Sequence, residues 1–530
     1  MLFPCTASQF GKTSRFMHEF AQENPWRRRR NIAQRFEQKI TRRGMRGNEG
    51  TYFKMVASSG SSSREGWSSR SAFILAAIGA AVGLGNVWRF PTLAGENGGG
   101  AFVLVYVAFV FLLGLPLVIS EIFIGRTGQD DAVDSIRKVA ERSRVSTAWS
   151  GFGIMGVIAA FLIISFYSVV AGWVLYYVGV MGADFLGAIA AGDPFRGAMV
   201  GQSQEAIQGR MGDLFANPAL LLGMHFAFMG LTFFIVARGI GSGIEAAATI
   251  LMPMFFVLLI GITIYGAFVG DMGDALAFLF TPDFSKLTPQ AVNTALGQAL
   301  FSLSLGVAGL ITYGSYIKGS AGLGPTSVTI AFADTSVALI AGLMIFPIVF
   351  AVGLDPAAGP TLVFQTLPFA FQTMPAGSLI GLLFFVLILV AAVTSSISLL
   401  EVPTAWGIGQ FGLTRTASSA LFGGGAFLIG IACLLGYNVW SDVRILGFWD
   451  LFAETDILDT VDGFTGKVML PLGAFFTAVF VGWRADKRLV EEMTGLSGFW
   501  LAVWRFLIAW LCPLAVGAVL VTGLFPEILG

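Results

Sequence analysis

The stretch 71–126 constrains the fold of this chain more than any other. It opens with an apolar run long enough to cross a bilayer, which takes roughly 20 residues. The middle of that run, residues 82–86, reads VGLGN, and each glycine weakens helical structure by about 1 kcal/mol. Backbone that leaves its helix at membrane depth survives only where it is buried in protein or lines a cavity. We therefore expect a discontinuous helix whose freed carbonyls and amides face a binding site.

Uniformly apolar runs recur along the rest of the chain. Of its 530 residues, 55% are hydrophobic and 12% are charged, and its mean hydropathy is +0.77, which is typical of an integral membrane protein. Strands of outer-membrane barrels would alternate polar and apolar residues over about 10 positions, so we predict an all-α membrane protein. Runs of about 18 apolar residues or more predict eleven spans, near 71–91, 99–125, 151–182, 217–237, 242–268, 293–317, 326–352, 376–408, 417–437, 467–484 and 499–525.

The basic residues collect on one predicted side of these spans. Cytoplasmic loops carry an excess of Lys and Arg; four arginines occupy 27–30, and Arg484, Lys487 and Arg488 follow the tenth span. The pattern predicts a multi-pass protein of the cell membrane with a cytoplasmic N-terminus and, after eleven spans, an external C-terminus. The net charge of zero gives no argument for a nucleic-acid partner. Residues 1–66 are polar and basic, and we expect a disordered extension there.

The centre of the sixth predicted span repeats the character of the first. Residues 301–309 read FSLSLGVAG, which again combines small residues, hydroxyls and glycines at mid-membrane. Two interrupted spans five helices apart are the best sequence indication of an inverted-repeat transporter with its site near the bilayer midplane. We therefore divide the chain into a first repeat, 67–270, a second repeat, 271–490, and an eleventh span with the C-terminus, 491–530.

Polar side chains within the later spans need partners. The seventh span contains Asp334, and a carboxylate there costs at least about 2.5 kcal/mol on insertion scales, so a cation or a hydrogen-bonded partner is expected beside it. The eighth contains Thr394, Ser395 and Ser396, which taken alone indicate hydrogen bonding between helices. With two histidines and three cysteines in the chain, we predict neither a metal cluster nor a catalytic centre. His225 is expected to be a packed residue that hydrogen-bonds a neighbour.

These motifs resemble those of the neurotransmitter:sodium symporter family, in particular its bacterial amino-acid transporters. In chain order they are GAAVGLGNVWRFP, ENGGGAF, GLPL followed by Glu121, GIE in the fifth span, GQALFSLSLG and ITYGSY around the sixth, and TSSIS in the eighth. The resemblance extends from Trp67 to the end, and eleven spans also occur among bacterial members. It implies a leucine-transporter-like fold, an inverted five-helix repeat with discontinuous first and sixth spans.

The resemblance also implies two sodium sites, and sodium prefers hard oxygen ligands as other hard cations do. The positions that match the family's first site are Ala81 through its carbonyl, Asn86, Ser302 and Asp334. Those that match the second site are the carbonyls of Gly79, Val82 and Ala391 and the hydroxyls of Thr394 and Ser395.

The positions that match the family's substrate pocket lie on the first, third, sixth and eighth spans. Monoamine carriers place an aspartate where this chain has Gly83, so the resemblance implies a substrate that brings its own carboxylate. Free amides near Gly85 suit that carboxylate, and Tyr167 would donate a hydrogen bond to it. The apolar walls favour a hydrophobic, bulky L-amino acid. The set is Ala81, Gly83, Leu84, Gly85, Ile163, Tyr167, Phe301, Ser302, Ser304, Val307, Ser395 and Leu399.

Gates are implied on both sides of the pocket. On the outer side Arg89 would pair with Asp462, with Asp459 as the alternative acid, above a lid formed by Tyr167 and Phe301. On the inner side the positions that match the family's latch are Arg64, Trp67 and Tyr316.

Three positions depart from the family's pattern. Asp334 stands where many members have asparagine, and Ala338 replaces the serine or glutamate that handles the anion position with Tyr106 and Gln298. Chloride dependence is therefore not expected, since Asp334 could supply the compensating charge and exchange a proton. Around Gln410 no aspartate is found for Arg64.

Sodium-coupled symport of an amino acid by alternating access is therefore the leading interpretation of the sequence. Proton-coupled amino-acid transport is an alternative, because Asp334 is a group that could carry a proton. A membrane amino-acid sensor is a second alternative, although the chain has no long soluble signalling domain. An enzyme is not expected.

Overall fold

The computed structural model describes residues 65–318, 322–357, 359, 362–525 and 528. Over these residues every regular element is a helix, and no strand occurs. The predicted N-terminal extension lies outside the described residues except for its last two positions, and so does Arg64, which belongs to the predicted inner gate.

Eleven helical elements match the eleven predicted spans. The first span is a bent pair, Arg70–Ala81 and Gly85–Glu96, with 50° between its two parts. The sixth is also divided, into Pro289–Ser302 and Gly309–Ser315. Within the described residues nine further helices are long and apolar enough to cross a membrane: Gly100–Gly128, Thr147–Ala190, Pro218–Ala237, Ile240–Val269, Leu323–Ala351, Gly377–Phe411, Arg415–Leu435, Ile457–Arg484 and Gly498–Leu524. The all-α fold with interrupted first and sixth spans is confirmed.

The first span breaks where the glycines predicted it. Val82 ends the first half with an extended conformation (φ −73°, ψ 109°), and the second half begins at Gly85 with a π-helical turn. The side chain of Asn86 accepts a hydrogen bond from the amide of Gly83 over 3.1 Å, which satisfies a backbone donor that the break leaves free. A polar side chain thus stabilises the interruption from within the same segment.

The sixth span breaks through left-handed backbone. Ser304, Gly306 and Ala308 have φ values of 52°, 85° and 59°, a conformation that residues with a Cβ rarely adopt. The carboxylate of Glu121, on the second span, accepts a hydrogen bond from the amide of Gly306 over 2.8 Å. Because strained backbone persists only when its surroundings fix it, this buried acid is one of the groups that hold the interruption open.

The tenth span begins about three helical turns before its predicted start at 467. The apolar-run criterion missed the beginning because Asp459, Asp462 and Lys467 lower the hydropathy there, yet the helix starts at Ile457. Asp459 and Asp462 border a cavity rather than the hydrophobic core. Five shorter helices between spans were not predicted: Ala132–Arg142, Gln204–Phe215, Met272–Phe280, Leu367–Thr373 and Lys487–Thr494.

The third and eighth spans pack against each other along much of their lengths. Between the fourth and ninth spans, Gly430 leaves room for the ring of His225. The Nε2 of His225 lies 3.1 Å from the carbonyl oxygen of Phe427, and the two rings stack. His225 is therefore a packed, hydrogen-bonded residue, as predicted.

Candidate functional site

A cavity of about 40 Å³ lies where the breaks of the first and sixth spans face the third and eighth. All twelve residues predicted to bind the substrate border it, although their binding role stays a prediction. Two further residues complete the described lining, Ala80 and Leu470. Leu470 belongs to the tenth span, which sequence reasoning did not include in the pocket.

Polar groups of the cavity come from backbone that the broken helices free. The amide of Leu84 donates to the phenol oxygen of Tyr167 over 3.4 Å, so the phenol keeps its own proton for another acceptor. Ser304 donates to the carbonyl oxygen of Ala80 over 3.1 Å. A Cβ at Gly83 would collide with the hydroxyl of Ser395. A side chain at Gly83 would therefore displace the hydroxyl of Ser395.

Three of the residues predicted for the first sodium site form one buried hydrogen-bonded group. The Nδ2 of Asn86 donates to Oδ1 of Asp334 over 2.7 Å and to the hydroxyl oxygen of Ser302 over 3.0 Å. The hydroxyl of Ser302 donates to Oδ2 of Asp334 over 2.7 Å. Ala81 borders the adjoining cavity. The first, sixth and seventh spans thus bring one amide, one hydroxyl and one carboxylate together. The oxygens of Ser302 and Asp334 are hard ligands that suit an alkali cation, whereas Asn86 turns its Nδ2 to them.

The residues that the resemblance matched to the family's anion position lie beside this group, and that role stays a prediction. The phenol of Tyr106 donates to the hydroxyl oxygen of Ser302 over 3.2 Å, and Nε2 of Gln298 donates to the carbonyl oxygen of Gly85 over 2.9 Å. Ala338 is fully buried, and its methyl group offers no hydrogen bond to an anion. Asp334 supplies a carboxylate to the same network.

The residues predicted for the second sodium site also lie together. The hydroxyl of Ser395 donates to the carbonyl oxygens of Val82 and Gly79 over 3.2 and 3.4 Å. The hydroxyl of Thr394 donates to the carbonyl oxygen of Ala391 over 3.0 Å. Carbonyls of the first span therefore face the hydroxyl of Ser395, whereas the hydroxyl of Thr394 bonds within the eighth span. Their role as cation ligands stays a prediction.

Above the central cavity lies a larger one of about 410 Å³, which we call the vestibule. Arg89, Asp459 and Asp462 all border it. The guanidinium of Arg89 lies over the ring of Phe301, 4.4 Å from its centroid, and Phe301 borders both cavities. Among the ion pairs of the described residues, Arg89 is not joined to either acid. The predicted outer-gate residues thus share one cavity without direct contact.

At the opposite end of the bundle, Trp67 joins the first span to the sixth. Its indole Nε1 donates to the carbonyl oxygen of Tyr313 over 2.9 Å. The backbone amide of Trp67 donates to the carbonyl oxygen of Tyr316 over 3.2 Å. The indole also lies edge-on to both tyrosine rings. The start of the first span is therefore held against the end of the sixth.

A network of charges that sequence reasoning missed lies beside Trp67. The phenol of Tyr316 donates to Glu401 over 2.6 Å, and Arg415 binds the other oxygen of Glu401 over 2.7 Å. Arg415 also pairs with Glu65 over 2.9 Å. In this ion pair the acid, Glu65, lies on the N-terminal segment and the arginine lies on the ninth span. Arg64 lies outside the described residues, so its acid partner stays an open question of the sequence. The signal for this network in the sequence was Glu401, because an acid within a span needs a partner. Arg415 follows it by 14 residues, in a helical hairpin.

Comparison with known proteins decides the family. The model of the sodium:neurotransmitter symporter family matches residues 64–183 and 206–526. The chain belongs to this family. It is 38% identical over 456 residues to YhdH of Bacillus subtilis, an uncharacterised sodium-dependent transporter, which covers 85% of this chain and 95% of that protein. It is 34% identical to an uncharacterised sodium-dependent transporter of Haemophilus influenzae, over 87% of this chain and 98% of that protein.

A solved structure of the family also matches the fold. The crystal structure of MhsT in complex with L-phenylalanine superposes with a TM-score of 0.77 and is 41% identical, covering 87% of this chain and all of MhsT. This sodium:neurotransmitter symporter therefore has the leucine-transporter-like fold that its motifs predicted. It is a multi-pass membrane transporter of a sodium-dependent family that moves a small molecule, and its family is one of transporters, not enzymes.

Proposed function

We propose that this protein imports an L-amino acid with a hydrophobic side chain together with sodium, by alternating access. The observation that carries the proposal is the arrangement of oxygen atoms around the two breaks. The hydroxyl of Ser395 donates to the carbonyl oxygen of Val82 on the first span, and Asp334 accepts from Asn86 and Ser302. Ser302 and Ser395 border the central cavity. Two sodium ions at these positions would give the broken backbone and the buried polar groups a common role.

The shape and chemistry of the cavity support an amino acid as the substrate. Its described lining contains no carboxylate, so an amine without its own acid would find no counter-charge there. The helix N-terminus that begins at Gly85 and the phenol of Tyr167 suit a carboxylate. The walls formed by Ile163, Val307 and Leu399 are apolar and suit a hydrophobic side chain. The structure of the relative MhsT was solved with L-phenylalanine, which agrees with this class.

The proposal also includes the predicted topology, repeats, gates and independence from chloride. The N-terminus and the Trp67 end are cytoplasmic, the C-terminus is external, and residues 67–270 and 271–490 are the two inverted repeats. Arg89 and Asp462 close the vestibule when the outer side shuts. Trp67 and Tyr316, together with Arg64, latch the inner side. Chloride is not required.

Equilibrium binding to the purified protein tests the proposal. Tritiated leucine, tryptophan, tyrosine and phenylalanine are measured in sodium and again with sodium replaced by potassium or choline, each at two pH values. We expect saturable binding of at least one of them in sodium only. Because ligands that share a site stabilise each other reciprocally, raising the substrate concentration should also lower the half-saturating sodium concentration. Binding that is indifferent to sodium contradicts the proposed cation sites.

Proton-coupled transport is the second candidate, and the carboxylate of Asp334 is the observation that favours it. A carboxylate within a span is a typical proton carrier in transporters. This alternative predicts uptake that persists without sodium and changes with pH. Uptake into proteoliposomes under a proton gradient and under a sodium gradient distinguishes the two.

A further inference from the structure

We propose that Leu470, on the tenth span, limits the size of the substrate side chain that the central cavity accepts. The inference rests on the proposed function, since it concerns which amino acid the same cavity takes. Leu470 borders the cavity and is 2% exposed. The resemblance placed the pocket on the first, third, sixth and eighth spans, so the contribution of the tenth comes from the structure.

Local structure directs Leu470 towards the cavity. A π-helical turn, Thr465–Met469, immediately precedes it, and the α-helix Leu470–Val479 begins at the residue itself, with Pro471 next. A π-helical turn inserts one extra residue into a helix and rotates the residues after it by about 100° relative to an unbroken α-helix. The register of the tenth span is therefore reset at the position where it meets the site.

The tenth span cannot withdraw from the cavity without disturbing the sixth. A Cβ at Gly306 would collide with the carbonyl of Leu470, and a Cβ at Gly473 would collide with the backbone of Gly306. The two backbones are thus in direct contact at Leu470 and again at Gly473. The amide of the same Gly306 donates to Glu121 of the second span. A substrate side chain that reaches Leu470 meets a wall with fixed backbone, so the leucine side chain sets the available length.

The apolar part of the cavity places Leu470 among the residues that suit a side chain. Val307, which follows Gly306 in the interrupted sixth span, borders the same cavity and is also 2% exposed. Ile163 and Leu399 border it from the third and eighth spans. Shortening a buried leucine to alanine leaves a cavity when nothing collapses into it. At this position the space gained would be continuous with the substrate cavity.

Competition binding with amino acids of increasing side-chain size tests the role assigned to Leu470. Tritiated leucine is bound to the purified protein in sodium and displaced by alanine, valine, leucine, phenylalanine and tryptophan. In Leu470→Ala the ratio of the tryptophan affinity to the alanine affinity should rise about tenfold or more, because one methylene in an apolar pocket changes discrimination by about 10-fold to 200-fold. In Leu470→Phe the same ratio should fall. The half-saturating sodium concentration should change less than threefold in both variants.

The matched control is Leu472→Ala, the same change two residues along the same helix. Leu472 is half-buried and is not among the described residues that border the cavity, so the affinity ratio should stay within twofold of wild type. Leu470→Val repeats the test with a smaller change if the alanine variant does not fold. Equal shifts for every ligand, or the same shift in Leu472→Ala, overturn the assignment to Leu470. A wild-type protein that binds none of the series in sodium overturns the proposed function and this inference with it.

Discussion

Asn86 on the first span donates from Nδ2 to Oδ1 of Asp334 on the seventh over 2.7 Å, and the same nitrogen lies 3.1 Å from the backbone carbonyl oxygen of Asp334. Ser302 of the sixth span binds the other carboxylate oxygen. The two interrupted spans are thereby tied to one charge on a continuous helix. A cation at this position would draw all three spans together, which is what coupling between sodium and substrate requires.

Replacing Asp334 with asparagine removes that charge and keeps the shape of the side chain. We expect the half-saturating sodium concentration to rise at least tenfold, since interactions with a charged group contribute about 1.5–3 kcal/mol. Sodium titration of amino-acid binding, with and without chloride, measures the change. An unchanged sodium requirement together with an altered pH dependence would instead favour the proton-coupled alternative.

Thr394 and Ser395 provide a separate test of the second sodium site. Thr394→Val replaces a hydroxyl with a methyl group of similar size, so we expect the half-saturating sodium concentration to rise about fivefold to tenfold, equivalent to about 1–1.4 kcal/mol. Ser395→Ala should act in the same direction. The measurement is the same sodium titration at a fixed amino-acid concentration.

Thr404→Val is the control for this pair. Thr404 is fully buried on the same helix and donates to the carbonyl of Leu400 over 2.8 Å, but it does not border the small cavity that Thr394 shares with Gly79. Its sodium titration should match that of the wild type within twofold. If Thr404→Val and Thr394→Val change the titration equally, the effect reports helix packing and not a cation site.

The sequence predicted the parts of this fold that depend on local chemistry. Glycines and hydroxyls at mid-span indicated both breaks, and the structure has them at Val82 and around Gly306. Contacts between residues far apart in the chain could not be predicted in this way. The pairing of Glu65 with Arg415 depends on how the N-terminal segment meets the hairpin of the eighth and ninth spans, and no local pattern encodes that meeting.

The same limit explains why the tenth span was underestimated. Its charged first turns lower the hydropathy, although Asp459 and Asp462 border the vestibule. An apolar-run criterion excludes such turns because it treats every charge as a loop residue. Leu470 was missed for a different reason, since one leucine in an apolar helix carries no pattern that separates a wall of the site from ordinary packing.

Substitution of Gly83 tests how closely the break of the first span packs against the cavity. A Cβ at this position would meet the hydroxyl of Ser395 and lie 3.3 Å from that of Tyr167. Gly83→Ala should therefore weaken amino-acid binding at least tenfold, because one of these hydroxyls must move. Equilibrium binding in saturating sodium measures the loss.

Gly297→Ala is the matched change for Gly83→Ala. A Cβ at Gly297, on the first half of the sixth span, would meet no atom within 4 Å, and alanine favours helix by about 1 kcal/mol over glycine. Its binding should equal that of the wild type and its melting temperature should not fall. Wild-type binding by Gly83→Ala would contradict the close packing of Gly83 against Ser395.

Substitutions among the charged residues around Arg415 should distinguish a role in stability from a role in gating. Glu401 is fully buried whereas the side chain of Glu65 is 50% exposed, and removing one partner of a buried ion pair costs about 3–5 kcal/mol. Arg415→Met should therefore lower the melting temperature strongly.

Exposed pairs contribute about 0–1 kcal/mol, so Glu65→Gln should leave the melting temperature nearly unchanged. The glutamine variant should still weaken the hold of the N-terminal segment, because it loses the ion pair with Arg415 and keeps only an amide oxygen for the amide of Ile240. Faster alkylation of a cysteine placed at Ala76, on the first half of the first span, measures that opening; equal alkylation in Glu65→Gln and wild type would assign the network to stability alone.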